Sequence, residues 1–119
     1  MRVKTTNTIL YCKKWQETVR FYAEILKLEV NFSNEWFVEF TLNTHSRLSV
    51  ADHNRSSIKS SDGQGITIAL QVEDSPTLHE HLSQSGANPT PMKKLWGAGV
   101  FYVTDPEGSR IEFWSEQTS

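Results

Sequence analysis

The stretch Arg47-Leu48-Ser49-Val50 returns later in the chain as Arg110-Ile111-Glu112-Phe113. Each copy follows a segment with strand character and a turn, residues 37–40 in the first case and 100–103 in the second. Upstream of both, an apolar-alternating segment precedes a segment with helical spacing and then another strand. The sequence therefore predicts two copies of one structural unit.

The first unit is predicted over residues 3–52 and reads as strand, helix and three strands. Alternation over residues 7–12 predicts the first strand, and apolar residues at helical spacing predict a helix over 15–26. The three remaining strands, separated by turn residues, are predicted at 28–32, 36–42 and 47–52.

The second unit is predicted over residues 66–115, after a connector at 53–65 that is rich in Ser, Asn and Gly. A strand over 66–72 is followed by a helix that Asp74-Ser75-Pro76 opens and Gly86 ends. Its three remaining strands are predicted at 90–94, 99–104 and 110–114. We expect one α+β domain, residues 1–119, made of two βαβββ modules.

Composition excludes several classes of function. A length of 119 residues suits one domain with a real core, and a net charge of −2 gives no basic stripe for nucleic acid. The single Cys12 excludes an internal disulfide, and no apolar run approaches the roughly 20 residues that span a membrane. Met1-Arg2-Val3-Lys4 does not lead into a signal-peptide core. We expect a cytoplasmic protein without nucleic-acid or membrane partners.

Three motifs carry a family resemblance: Phe21-Tyr22 with Ile25-Leu26, Trp96-Gly97 before a strand, and Asp105-Pro106-Glu107-Gly108 before Ile111-Glu112-Phe113. Together they resemble the vicinal oxygen chelate superfamily, which includes glyoxalase I, bleomycin-resistance proteins, fosfomycin-resistance enzymes and extradiol dioxygenases. The Trp96-Gly97 pair is most similar to the metal-free bleomycin-resistance branch, although residues 98–100 lack the polar and charged side chains usual there. The resemblance implies curved mixed sheets around a cavity, helices on the outside, a small-molecule ligand and a homodimer.

Alternation along the strands predicts which side chains face the helix and which line that cavity. The expected helix-side residues are Thr8, Leu10, Cys12, Leu48, Val50, Ile66, Ile68, Leu70, Val72, Ile111 and Phe113. The expected ligand-binding residues of opposite parity are Asn7, Tyr11, Phe37, Glu39, Arg47, Ser49, Thr67, Gln71, Tyr102, Arg110 and Trp114, with Trp96 at the rim. Aromatic surface with a few polar groups is typical of a small-molecule pocket.

The resemblance also indicates where metal ligands would lie. In metal-dependent relatives they are His, Glu or Gln on the first and fourth strands of each unit, and the matching positions here are Asn7, Ser49, Thr67 and Glu112. Only Glu112 is a strong ligand, so no metal and no other cofactor is expected, and a divalent ion is the disfavoured alternative. The four His residues are expected to be solvated at the surface.

These observations favour a metal-independent protein that binds a planar or aromatic ligand between the modules. The alternative is a lyase, isomerase or dioxygenase in which Glu112 is a metal ligand or an acid–base catalyst. Two further possibilities stay open: Glu112 forms an internal salt bridge with Arg47 or Arg110, or the cavity is filled and the protein is an interaction module. By parity Cys12 faces the helix, where a thiol is an inert packing group.

Overall fold

The structure is a computed structural model that describes residues 1–117 and shows an α+β fold with two four-stranded sheets. The chain divides into two compact units, Met1–Asp62 and Gly63–Ser119, and this boundary falls inside the predicted connector. The last two residues of the predicted domain lie outside the described part of the chain. Neither α-helix in residues 1–117 has the length and apolar character needed to cross a membrane.

Unit 1 begins with strand β1 (Thr6–Cys12) and helix α1 (Trp15–Arg20), which continues as a π-helix over Phe21–Ile25. The remaining elements are strands β2 (Glu29–Ser33), β3 (Phe37–Asn43) and β4 (Ser46–Asp52), then a short 3₁₀ turn at His53–Arg55. The strand order is β1-β4-β3-β2, with β1 parallel to β4 and the other pairs antiparallel. The predicted helix over 15–26 is therefore confirmed in extent, but its second half has π geometry.

Unit 2 repeats this order of elements. Its elements are β5 (Thr67–Gln71), α2 (Ser75–Gln84), β6 (Lys93–Leu95), β7 (Ala98–Thr104) and β8 (Arg110–Glu116). The strand order is β5-β8-β7-β6, with β5 parallel to β8 and the other pairs antiparallel. The prediction of two βαβββ modules is confirmed.

The strand predicted at residues 90–94 is shorter than expected and begins only at Lys93. Pro91 has no backbone N–H to donate to a sheet ladder. Thr90 still reaches Tyr102, because its N–H donates to the Tyr102 carbonyl at 2.9 Å and its hydroxyl accepts from the Tyr102 N–H at 2.9 Å. The hydroxyl of Thr90 thus accepts the hydrogen bond from the Tyr102 N–H that a backbone carbonyl would accept in a regular strand pair.

Each unit has its own core on the side of the sheet that contacts its helix. Helix α1 contacts β1 and β4, and α2 contacts β7 and β8. The buried apolar strand residues on that side are Leu10, Cys12, Val38, Phe40, Leu48 and Val50 in unit 1, and Phe101, Val103, Ile111 and Phe113 in unit 2. Of the other residues expected on the helix side, Thr8 near the start of β1 is exposed, and Ile66, Ile68, Leu70 and Val72 on or beside β5 are half-buried.

The Asp-Pro-Glu-Gly turn between β7 and β8 is held by one buried carboxylate. Oδ1 of Asp105 accepts from the backbone N–H groups of Glu107, Gly108 and Ser109 at 2.9–3.0 Å. Gly63 lies against this turn with a φ of 77°, and a Cβ there would come within 2.0 Å of the Gly108 carbonyl carbon. Only glycine satisfies both the left-handed backbone and the close approach.

Candidate functional site

A cavity of about 290 Å³ opens on unit 2, and we call it the Glu112 cavity. Its lining residues are Leu95, Trp96, Ala98, Val100, Glu112 and Trp114. The register between β7 and β8 sets two of them directly opposite each other, Val100 and Trp114, and puts Glu112 opposite Tyr102. Three predicted site residues, Trp96, Glu112 and Trp114, therefore meet around one cavity, and their role in binding stays a prediction.

A tight turn places Trp96 at the rim of this cavity. Strands β6 and β7 are joined by Trp96 and Gly97, with φ values of 47° and 74°. Two consecutive left-handed residues fit the short hairpin turn whose twist matches that of the flanking strands. A bulky residue at positive φ is uncommon, and here it leaves the whole indole of Trp96 exposed.

The carboxylate of Glu112 has no hydrogen-bond or ion-pair partner among residues 1–117. Arg110, the nearest arginine along its strand, is engaged elsewhere: Nε donates to Oγ1 of Thr67 at 3.0 Å, and the guanidinium lies 4.3 Å from the Tyr102 ring centroid. The internal salt bridge considered for Glu112 is therefore not formed. Its half-buried carboxylate thus lines, without a partner in the described chain, the cavity that Trp96 and Trp114 also line.

The matching polar groups of unit 1 bind one another instead. Nδ2 of Asn7 donates to Oε1 of Glu39 at 3.3 Å, and the fully buried Ser49 hydroxyl donates to Oδ1 of Asn7 at 2.7 Å. Asn31 donates to the other oxygen of Glu39, and Nε of Arg47 lies 4.0 Å from that oxygen. We call these five residues the Glu39 network.

The sequence analysis did not predict the roles of two members of this network, Asn31 and Arg47. Asn31 was not predicted as a site residue; a register shift in β2 between Val30 and Phe32 interrupts the pairing at Asn31, and nothing local in the sequence signals that shift. Arg47 was predicted to bind ligand, but its Nη1 donates to the carbonyls of Asn43 at 2.7 Å and Ser46 at 3.1 Å. It therefore holds the turn between β3 and β4.

A second cavity, of about 330 Å³, lies in unit 1, and we call it the Arg55 cavity. Its lining residues are Ile9, Tyr11, Trp36, Phe37, Ala51, Arg55, Ser56, Ser57 and Ile58. Tyr11 and Phe37 were predicted site residues, whereas Trp36, Ala51, Arg55, Ser56, Ser57 and Ile58 were not. Four of these, residues 55–58, lie in the predicted connector, which is rich in Ser, Asn and Gly.

The remaining predicted site residues do not line either cavity. Gln71 is exposed and pairs in register with Trp114, and Thr67 accepts its bond from Arg110. The guanidinium of Arg110 lies over the ring of Tyr102. These three residues support the sheet next to the Glu112 cavity.

Only one of the four positions that match metal ligands in relatives carries a charged donor. In unit 1, Asn7 and Ser49 are bonded to each other, and in unit 2 the Thr67 hydroxyl accepts from Arg110, so Glu112 is the only charged donor of the four positions. Among residues 1–117, no three His, Cys, Asp or Glu side chains are grouped as a metal site requires. Stable Zn²⁺, Ni²⁺ or Fe²⁺ sites need several strong ligands.

The expectation of four solvated histidines was wrong for two of them. His45 and His81 are exposed, but Nδ1 of His53 accepts from the Ser60 N–H at 2.9 Å. Nε2 of His79 lies 2.8 Å from the Thr90 carbonyl, and its ring meets Phe101 edge-on at 4.9 Å. These two rings brace the connector and the contact between α2 and β7.

Solved structures with the same fold include proteins named for different functions. A lactoylglutathione lyase from Agrobacterium tumefaciens has a TM-score of 0.77 at 16% identity, covering 92% of this chain and 91% of that one. A glyoxalase/bleomycin resistance protein/dioxygenase from Nocardioides has a TM-score of 0.78 at 19% identity, covering 100% and 87%. A bleomycin resistance determinant encoded on transposon Tn5 has a TM-score of 0.73 at 14% identity, covering 94% and 97%.

At such identities the structural likeness shows the fold alone. No curated protein matches the sequence significantly. The family model described as Glyoxalase/Bleomycin resistance protein/Dioxygenase superfamily matches residues 4–113, nearly the whole chain. The chain therefore belongs to the glyoxalase/bleomycin resistance protein/dioxygenase superfamily.

Proposed function

We propose that this protein binds a small, planar or aromatic molecule of neutral-to-cationic character, without a metal, in the Glu112 cavity. The observation that carries the proposal is the unpaired carboxylate of Glu112 in a cavity that Trp96 and Trp114 also line. Burial of a carboxylate is costly unless an opposite charge or a donor compensates it. A ligand with an amide or a positive charge would supply that compensation.

The aromatic walls would provide most of the affinity. Trp114 is half-buried and Trp96 is exposed, so a flat ligand that stacks on them removes apolar surface from water at about 25 cal/mol per Å². A cation over an indole adds about 0.5–2 kcal/mol, depending on how far it is desolvated. Val100 and Ala98 on β7 form the apolar floor, and Glu112 would select the charge and orientation of the ligand.

Sequestration is the mode of action that we favour, in a cytoplasmic homodimer. The name of the transposon Tn5 protein describes resistance to bleomycin for that protein; residues 98–100 here are apolar, so bleomycin itself is not the proposed ligand. Exposed Val30 and Phe32 on the edge strand β2 supply apolar surface for a dimer contact. Light scattering tests the dimer, and a mass equal to the 13.6 kDa chain would contradict it.

The binding test compares two probes that differ in charge. We expect 2-naphthylmethylammonium to quench intrinsic Trp fluorescence and to bind more tightly than neutral 2-naphthylmethanol. Trp114→Ala should weaken binding by about 1–3 kcal/mol, the value of a lost buried aromatic contact. Glu112→Gln should remove the preference for the ammonium, while the matched exposed variant Glu80→Gln should keep it. Equal binding of both probes to the original chain would contradict the proposal.

Enzymatic activity is the second candidate, and the same unpaired carboxylate favours it, because Glu112 could accept a proton from a bound substrate. A metal titration separates the proposal from an enzyme that uses Glu112 as a metal ligand. Under our proposal, Ni²⁺, Zn²⁺ or Fe²⁺ at modest excess and EDTA leave the melting temperature unchanged, since no native-state affinity shifts the folding equilibrium. A saturable shift that disappears in Glu112→Ala would favour the metal-dependent enzyme.

A further inference from the structure

The Arg55 cavity of unit 1 combines aromatic walls with a single positive charge. Three rings line it, those of Tyr11, Trp36 and Phe37, and the only charged lining residue is Arg55. Ile9 and Ile58 are 37% and 56% exposed although both are large and apolar. Its composition therefore resembles that of the Glu112 cavity, with the opposite charge.

Several polar groups of this cavity are unused within residues 1–117. The Tyr11 hydroxyl, the Trp36 indole N–H and the Ser57 hydroxyl make no hydrogen bond there. By contrast, the indole N–H of Trp15, in the same unit, donates to the Val50 carbonyl at 2.9 Å. The indole N–H of Trp15 thus has a hydrogen-bond partner within the core, whereas that of Trp36, at the cavity, has none among the described residues.

The guanidinium of Arg55 is only weakly engaged. Its Nη1 lies 3.9 Å from Oε2 of Glu35, and both side chains are largely exposed, at 56% and 89%. An exposed pair at this distance is screened by water and contributes little. The planar guanidinium of an arginine is well suited to carboxylate and phosphate groups. Two of its N–H groups can donate at once to both oxygens of a carboxylate.

The internal repeat explains why the two cavities differ. Register places Phe37 opposite Ala51 in unit 1 and Val100 opposite Trp114 in unit 2, so Ala51 takes the place of Trp114. The small Ala51 leaves room that the connector closes with residues 55–58. The connector is therefore a wall of the cavity in unit 1.

We propose that the Arg55 cavity is a second binding site, for a flat aromatic carboxylate. The ring of the ligand stacks among Tyr11, Trp36 and Phe37, and its carboxylate accepts from the guanidinium of Arg55 and from the Ser57 hydroxyl. The site is independent of the Glu112 cavity and of the proposal made for it.

The probes for this site are 2-naphthoate and its neutral isostere 2-naphthamide, followed by backbone amide shifts in ¹⁵N NMR spectra. We expect 2-naphthoate to shift the amides of Tyr11, Phe37, Ala51 and Ser57 and to bind about tenfold more tightly than 2-naphthamide, the size of effect expected for hydrogen bonds to a charged group. Arg55→Gln should remove that tenfold preference without changing 2-naphthamide binding. Arg20→Gln, an exposed arginine on α1 in the same unit, is the matched control and should preserve the preference.

Three results would overturn the proposal: equal affinity for the two probes, shifts confined to unit 2, or loss of the preference in Arg20→Gln. The proposal would also be overturned if the protein were a dimer that covers Ile9 and Ile58 and does not bind 2-naphthoate. This surface would then be an interface between copies of the chain. Arg55→Gln should leave binding of 2-naphthylmethylammonium unchanged, so that failure here and failure of the Glu112 proposal are separate results.

Discussion

The two sheets share a register but treat their polar groups in opposite ways. Ser49 and Glu112 occupy equivalent positions, opposite Glu39 and Tyr102 respectively. Ser49 is buried and bonded within the Glu39 network, whereas Glu112 has no partner among residues 1–117. The two units thus share one scaffold, while Ser49 is bonded internally and its counterpart Glu112 is a carboxylate without a partner in the described chain.

The largest expected effects come from what the two units have in common, their separate cores. Phe40 in β3 and Phe101 in β7 are both fully buried. Because each fills the core of its own unit, Phe40→Ala and Phe101→Ala should each lower the free energy of unfolding by about 3–5 kcal/mol. Urea denaturation measures this, with the exposed Val3→Ala as control. A loss as small as that of the control would show that one unit adds no core of its own.

The equivalent positions 49 and 112 should then separate the two units. Ser49→Ala leaves Oδ1 of Asn7 without its buried donor and should cost about 1–3 kcal/mol of unfolding free energy. Glu112→Gln removes no bond within the described chain and should change stability by no more than about 0.5 kcal/mol. The same denaturation experiment measures both. A large loss in Glu112→Gln would give this residue a structural role and weaken the binding proposal.

The repeat made the fold predictable, because strand alternation and turn chemistry are local signals that two copies reinforce. The predicted helix-side residues on β4 and β8, which are Leu48, Val50, Ile111 and Phe113, are buried for this reason. Burial along β1 was harder to predict: Leu10 and Cys12 are buried, whereas Thr8, at the same parity, is exposed. Parity fixes the face of a residue, whereas burial depends on what packs against that face.

The sites were predictable only in part, since alternation places a side chain on a face without naming its partner. It placed Glu112 and Trp114 correctly on one face of the second sheet. It could not show that Arg47 would turn to the carbonyls of its own turn, or that a bulge in β2 would bring Asn31 to Glu39. The Arg55 cavity was missed because a connector of polar residues became one of its walls.

The two equivalent arginines offer a smaller test of the same comparison. Arg47 is mostly buried and donates to carbonyls of its turn, so Arg47→Gln should cost about 1–2 kcal/mol. Arg110 is exposed and stacks on Tyr102, so Arg110→Gln should cost only about 0.5–1 kcal/mol. Thermal unfolding of both variants measures the order. A larger loss of stability in Arg110→Gln than in Arg47→Gln would indicate that the polar residues of unit 2 also stabilise the fold.

The smallest effect is expected where the two helices begin. Helix α2 is capped by Asp74, whose carboxylate accepts from the Thr77 hydroxyl at 2.7 Å and the Thr77 N–H at 3.1 Å, whereas α1 has no side-chain cap. These two bonds, the hydroxyl bond first, lower the pKa of Asp74 below its ordinary value. Because the folded-state pKa is lowered, the cap stabilises the protein above the unfolded-state pKa of Asp74, and this contribution is lost as the pH falls through the folded-state pKa.

Asp74→Asn tests this pH dependence, since Asn can still cap the helix but carries no charge. We expect its melting temperature to lie slightly below that of the original chain at neutral pH, and the gap to close on acidification through the aspartate range. The effect is small because Asp74 is exposed to solvent. Glu80→Gln on the same helix serves as control. The difference between its melting temperature and that of the original chain should not close in this way on acidification. If the gap for Asp74→Asn stayed constant with pH, the charge of Asp74 would add nothing to the cap, and the two helices would differ only in hydrogen bonding.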